Sequence, residues 1–139
     1  MSDSTEPIGG VGIDLVEIKR VENLVARWGL RFLEKVFFPS EIAYCQAKPY
    51  PAQHYAARLA IKEAVLKALG EGWTERAGWK DIAVSRGVKG QPGVKLVGKG
   101  EKLGREKGIG KILVSLSHSQ GFAVAAAITL ISSRTAGER

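Results

Sequence analysis

The chain of 139 residues has one cysteine, one methionine and two histidines. A lone Cys45 excludes an intrachain disulfide framework, and with only His54 and His118 beside it a cysteine-rich zinc site is excluded as well. This thiol usage fits a reducing compartment. Aromatic residues are 7% of the chain, and Trp28, Trp73, Trp79, Tyr44, Tyr50 and Tyr55 are too scattered to form a base-stacking platform. With no RNA-binding signature either, nucleic acid is not the expected partner. No apolar run reaches the length of a membrane span, and "MSDSTEPIGG" is polar and acidic where a secretory signal would be basic and then apolar. A cytoplasmic protein without membrane contact is expected.

Acidic residues are in the minority, 14 against 21 Lys and Arg, giving a net charge of +7 and a pI near 9.7. Such a surface implies an acidic partner, whether phosphate, anionic membrane, nucleic acid or protein. A hydrophobic fraction of 45% argues for a folded chain, and the length suits one domain. Composition sets its limits at residues 8–131, with tails over 1–7 and 132–139. There is no internal repeat.

"IGGVGIDL" has β-branched residues and glycine without a helical period, which predicts a short buried strand ending near Asp14. Ile18, Val21, Val25 and Trp28 then recur at helical spacing, with Lys19, Arg20 and Arg27 off that stripe. A short turn is expected over 31–36 and a helix over 41–47. The long central helix is predicted over 52–69, with Gly70 closing it. A strand near 81–85, a second within "VKGQPGVKLVG", a small basic helix over 101–107 and an apolar hairpin of "KILVSLS" and "FAVAAAITLI" complete the chain. The order predicts an α+β single domain with a mainly antiparallel sheet packed around the long helix.

That helix carries "RLAIKEAVLKALGEG", in which Arg58 and Lys62 fall one turn apart and Glu63 and Lys67 fall one turn apart on another edge. Glu63 followed by Lys67 is the orientation of an ordinary surface ion pair. Asp14 at a strand end either caps the next helix or meets a cation. Taken together, Asp14 and Glu63 are two hard carboxylates on rigid elements, the donors that a magnesium-phosphate site needs, and Lys62 and Lys67 are cations able to offset phosphate charge. "SHS" at 117–119 lacks the G-x-S-x-G elbow of a serine hydrolase, which leaves His118 as a phosphate contact or a plain turn residue. Gly70 and Gly72 either admit a phosphate to the backbone or serve only as cap and turn.

Three blocks in order, "GVGIDLVEIKRVE", "ARLAIKEAVLKALGEG" and "VSLSHSQGFAVAAAI", resemble the holo-acyl-carrier-protein synthase family, the small bacterial-type 4'-phosphopantetheinyl transferases. "FFPSEIAYC" is similar to the family's F-x-x-x-E segment, and "GQPGVKL" to its G-x-P hairpin beside the nucleotide, which brings in Gly90 and Pro92. Ile61 stands where small residues are common, and "GEGWTERAGW" departs from the usual Gly-Thr-Gly-Ile loop. The resemblance implies transfer of phosphopantetheine from coenzyme A to a serine of an acidic apo acyl carrier protein, for fatty acid biosynthesis. It implies magnesium on Asp14 and Glu63, with Lys62, Lys67 and His118 at phosphates or reacting groups and Arg58 near the nucleotide. The acceptor of the serine proton stays open between Glu63 and a water on the metal.

Carrier docking falls to Arg20 by resemblance, joined by Lys19, and by Arg27 from its helical spacing, where a plain solvated edge is the alternative. The family also implies a homotrimer with active sites between subunits. An inactive member that only binds carrier protein or nucleotide, and a basic nucleic-acid-binding domain, are the rival functions.

Overall fold

The computed structural model describes residues 6–70 and 77–132. Most of the two expected tails and Gly72 lie outside the described residues. Strand β1 (Ile8–Glu17) leads into α1 (Ile18–Trp28), α2 (Leu30–Val36), α3 (Pro39–Gln46) and the long α4 (Pro51–Ala68). A 3-10 turn (Trp79–Asp81) precedes β2 (Ile82–Arg86), β3 (Pro92–Leu96), α5 (Gly98–Glu106), β4 (Ile109–His118) and β5 (Phe122–Ile131).

The strands form two sheets. β1, β5 and β4 make one antiparallel sheet with β5 in the centre, while β2 and β3 pair as a separate hairpin. Alternation along β1 sends Gly10, Gly12, Asp14 and Val16 toward α4, and Val11, Ile13 and Leu15 to the other face. On β5 the buried set is Ala123, Ala125, Ala127 and Thr129. The helix meets these small residues with Ala57, Ala60, Ala64 and Ala68, all buried.

Gly10 and Gly12 are what let α4 lie so close. A Cβ at Gly12 would stand 1.9 Å from the Ala64 carbonyl oxygen, and one at Gly10 would stand 2.0 Å from that of Ala68. The backbone of β1 is therefore pressed on the helix over its last two turns, and the residues flanking this contact, Asp14 and Lys67, are fixed by it.

Two expectations shift. The segment expected as a turn over 31–36 is the helix α2, stabilised by burying Leu33 and Val36. β1 also continues past Asp14 to Glu17, so Asp14 lies inside a strand and caps no helix.

Candidate active site

Asp14, Arg20, Glu63 and Trp79 line one cleft of about 270 Å³, together with apolar groups of α1, α2 and α4 that include Val21, Phe32 and Leu59. Each polar member comes from a different place: β1, α1, α4 and the 3-10 turn. Lys67 Nζ donates to Asp14 Oδ1 at 2.9 Å and to the Ile13 carbonyl at 3.0 Å. The helical spacing suggested a Glu63–Lys67 pair, yet the lysine reaches across to the strand. Glu63 is held by another donor, since the Trp79 indole N–H donates to its Oε2.

Lys62 requires a correction. It was expected to reach phosphate, but it is fully buried in an ion pair with Glu41 and does not line the cleft. Its ammonium donates to Glu41 Oε1 at 2.8 Å, to the Val36 carbonyl at 2.7 Å and to the Trp79 carbonyl at 3.2 Å. Glu41 also accepts the N–H of Phe38 and of Val84. All three ammonium protons thus have acceptors, which is how a lysine survives burial. Burial pushes the Lys62 pKa down and the Glu41 carboxylate opposes that. Its part is to join α2, α3, α4, the 3-10 turn and β2.

Arg58 belongs to a second cluster. Its guanidinium lies 4.0 Å from the centre of the Tyr44 ring, over which Lys48 and Arg86 also sit, at 4.6 and 5.5 Å. His54 packs edge-on against Tyr44 and against His118, whose ring is hydrogen-bonded with the Gln53 amide. Among the described residues none of these cations has a carboxylate partner, and the buried Arg58 Nε has no hydrogen bond. The β2–β3 hairpin abuts the same cluster. Pro92 pairs with Arg86, and Gly90, at φ +85°, brings its turn against the Arg86 guanidinium. Burial, then Lys48, Arg58, His118 and Arg86, lower the His54 pKa from 6.5. Such a carboxylate-free group of cations has the charge to attract an anion.

The two clusters occupy different stretches of α4. Arg58 and Glu63, their nearest members on the helix, are five residues apart, about 7.5 Å at a rise of 1.5 Å per residue, and Gln53 lies five residues further back. His118 and Asp14 lie on the two strands that flank β5, opposite Ala123 and Ala125. Gly70 follows α4 at φ +81°, in open space. Lys19 is paired with Glu22 and Arg27 stacks on Trp28, both on the exposed side of α1, whereas Arg20 reaches the cleft.

Sequence reasoning passed over Trp79, Tyr44, Lys48 and Arg86 as site residues. Trp79 and Arg86 meet Glu63 and Tyr44 from far off in the chain, and the local Tyr44–Lys48 contact carries no sign of a site until Arg58 and Arg86 join it. Only Glu41 gave a signal, an acid three residues after Phe38 at a helix start, where it caps α3.

The sequence profile of the 4'-phosphopantetheinyl transferase superfamily matches residues 10–127. A holo-acyl-carrier-protein synthase of Syntrophus aciditrophicus is 46% identical over 121 residues, covering 87% of this chain and 94% of that protein. Among solved structures, the Helicobacter pylori holo-acyl-carrier-protein synthase in complex with coenzyme A is 34% identical, covers 86% of this chain and 98% of its own, and superposes with a TM-score of 0.77. The Neisseria meningitidis synthase superposes with a TM-score of 0.83 at 27% identity, covering 88% of this chain and 98% of its own. The chain therefore belongs to the 4'-phosphopantetheinyl transferase superfamily, among its holo-acyl-carrier-protein synthases.

Proposed function

We propose that this chain transfers 4'-phosphopantetheine from coenzyme A to a serine hydroxyl of an apo acyl carrier protein in the cytoplasm, serving fatty acid biosynthesis. The observation that carries this reading is the convergence of Asp14, Glu63 and Arg20 on one cleft, with Lys67 held against Asp14. In the reaction the serine oxygen forms a bond to the phosphorus that carries pantetheine. The bond from that phosphorus to the bridging oxygen breaks, and 3',5'-ADP leaves with the electron pair. The serine proton passes to Glu63 or to water.

Asp14 and Glu63 fit a magnesium ion. Both offer hard oxygens from rigid elements, one oxygen of each is already held by Lys67 or Trp79, and among the described residues the second oxygen of each has no hydrogen bond. Magnesium held by these two residues would supply positive charge to offset that of the pyrophosphate. Lys67 adds a half-exposed ammonium to the same end of the cleft. The Tyr44, Lys48, Arg58 and Arg86 cluster, with His118 and the Gly90–Pro92 hairpin, suits the nucleotide phosphate that the reaction leaves behind.

The separation of the two clusters supports sites built between subunits of a homotrimer. So does the sheet face away from α4, where Val11, Ile13 and Leu15 are each more than 60% exposed and Leu113 lies on the same side. A row of β-branched and leucine side chains left in water is the mark of a covered face. Arg20, at the cleft mouth, is placed to meet an acidic carrier helix, with Lys19 and Arg27 adding longer-range attraction.

The test is intact-mass spectrometry of apo acyl carrier protein incubated with coenzyme A, magnesium and this protein, with Glu63→Gln in parallel. A mass gain of one phosphopantetheine with the unmutated protein alone is expected. Absence of any gain across several carriers, with 3',5'-ADP still bound, would leave a binding-only member of the family.

A further inference from the structure

We infer that Trp79 is the positioning residue for Glu63, and that the buried Lys62–Glu41 pair is one of the ties that hold Trp79 in place. The inference rests on the proposed magnesium role of Glu63 and goes beyond it to name what orients that carboxylate. Trp79 lines the same cleft as Asp14 and Glu63, and its indole N–H donates to Glu63 Oε2. A carboxylate on a helix can swing about its last torsion. A donor fixed on one oxygen sets the plane of the group and leaves Oε1 as the oxygen for a cation.

The donor can do this only if it does not move, and the turn that carries it is tied from several sides. The Trp79 carbonyl accepts from the Lys62 ammonium, which is itself paired with Glu41. Asp81, which closes the turn, accepts the N–H of Gly78 at 2.8 Å and of Lys99 at 3.1 Å, while its carbonyl accepts the N–H of Val97 at 2.9 Å. Lys80, between them, donates to the Glu34 carbonyl. Lys62 thus acts on the site at one remove: its ammonium grips the backbone of the residue whose side chain grips Glu63. Adjacent helical residues 62 and 63 point in different directions, and the turn at 79 is reached by both, the backbone by one and the indole by the other.

Phenylalanine would fill most of the indole volume and offer no donor, so Trp79→Phe isolates the hydrogen bond. The test has two arms. In the first, ¹H–¹⁵N spectra of the ligand-free protein show three indole N–H resonances, from Trp28, Trp73 and Trp79. Trp28→Phe and Trp73→Phe identify the third by elimination. That resonance is expected far downfield, as for a donor to a carboxylate, and is expected to move upfield in Glu63→Gln. In the second arm, transfer is measured against magnesium concentration. Trp79→Phe is expected to raise the magnesium requirement about 10- to 100-fold and to approach the unmutated kcat at saturation.

An indole resonance indifferent to Glu63→Gln overturns the inference, as does a Trp79→Phe protein with unchanged magnesium dependence. A Trp79 resonance that follows Glu63 in a protein devoid of transfer supports the positioning contact and overturns the transfer reading instead.

Discussion

Lys67 Nζ sits 2.9 Å from Asp14 Oδ1, bridging the last turn of α4 to β1 beside the close approach of the two backbones at Gly10 and Gly12. With the lysine side chain half exposed and the aspartate partly so, the pair contributes little to stability, about 0–1 kcal/mol. Lys67→Met is accordingly expected to leave the urea midpoint nearly unchanged while lowering kcat/KM for transfer roughly 100-fold or more. A midpoint that falls in step with activity would mark the pair as structural.

The Lys62–Glu41 pair should behave in the opposite way. Removing the ammonium leaves a carboxylate that is 2% exposed without its counter-charge, so Lys62→Met is expected to cost about 3–5 kcal/mol. Adding Glu41→Gln to it should restore part of that loss, because the amide carries no charge and still has an oxygen for a backbone N–H. Urea unfolding of the single and double variants measures both numbers; equal midpoints for the two would remove the buried charge as the cause.

Two glycines separate crowding from conformation. Gly12→Ala puts a methyl group 1.9 Å from a backbone oxygen that cannot move without shifting α4, and is expected to lose more than the usual 1–3 kcal/mol of an overpacked core, about 4 kcal/mol or more. Gly70→Ala meets open space but must keep φ +81°, so about 1–2 kcal/mol is expected. Thermal melts rank them, and the reverse order would disprove the close approach of β1 to α4.

His54 gives a pH dependence. Burial first, then Lys48, Arg58, His118 and Arg86, hold its pKa below 6.5. Between that lowered value and 6.5 the unfolded chain binds more protons than the folded one, so stability rises with pH across the window and the penalty is complete below it. His54→Asn should flatten this rise. An added phosphate-bearing nucleotide such as 3',5'-ADP should raise the His54 pKa by screening those cations. A His54 titration that ignores the nucleotide would place its phosphates elsewhere.

The order of elements was legible in the sequence because each has a strong local pattern, such as the apolar run of "FAVAAAITLI" or the Pro51 and Gly70 that bracket α4. Asp14 and Glu63 were legible because charge is conspicuous in apolar surroundings. What escaped was the direction of each side chain around α4. Lys62 and Glu63 are neighbours in sequence, but only tertiary packing decides that one enters the core and the other the cleft. α2 was missed for a related reason: its seven residues are too few to show a period, and the burial of Leu33 and Val36 is what stabilises it. Trp79 carries no local signal at all, since its partner Glu63 is sixteen residues away on another element.

The placing of the two clusters on successive stretches of α4, with Arg58 five residues before Glu63, also makes their defects separable by inheritance. A chain damaged at Asp14 keeps its Arg58 end, and a chain damaged at Arg58 keeps its Asp14 end. If neighbouring copies share each site, two such alleles, each silent alone, would complement one another when expressed together, because a mixed assembly would contain an occasional junction made of two sound halves.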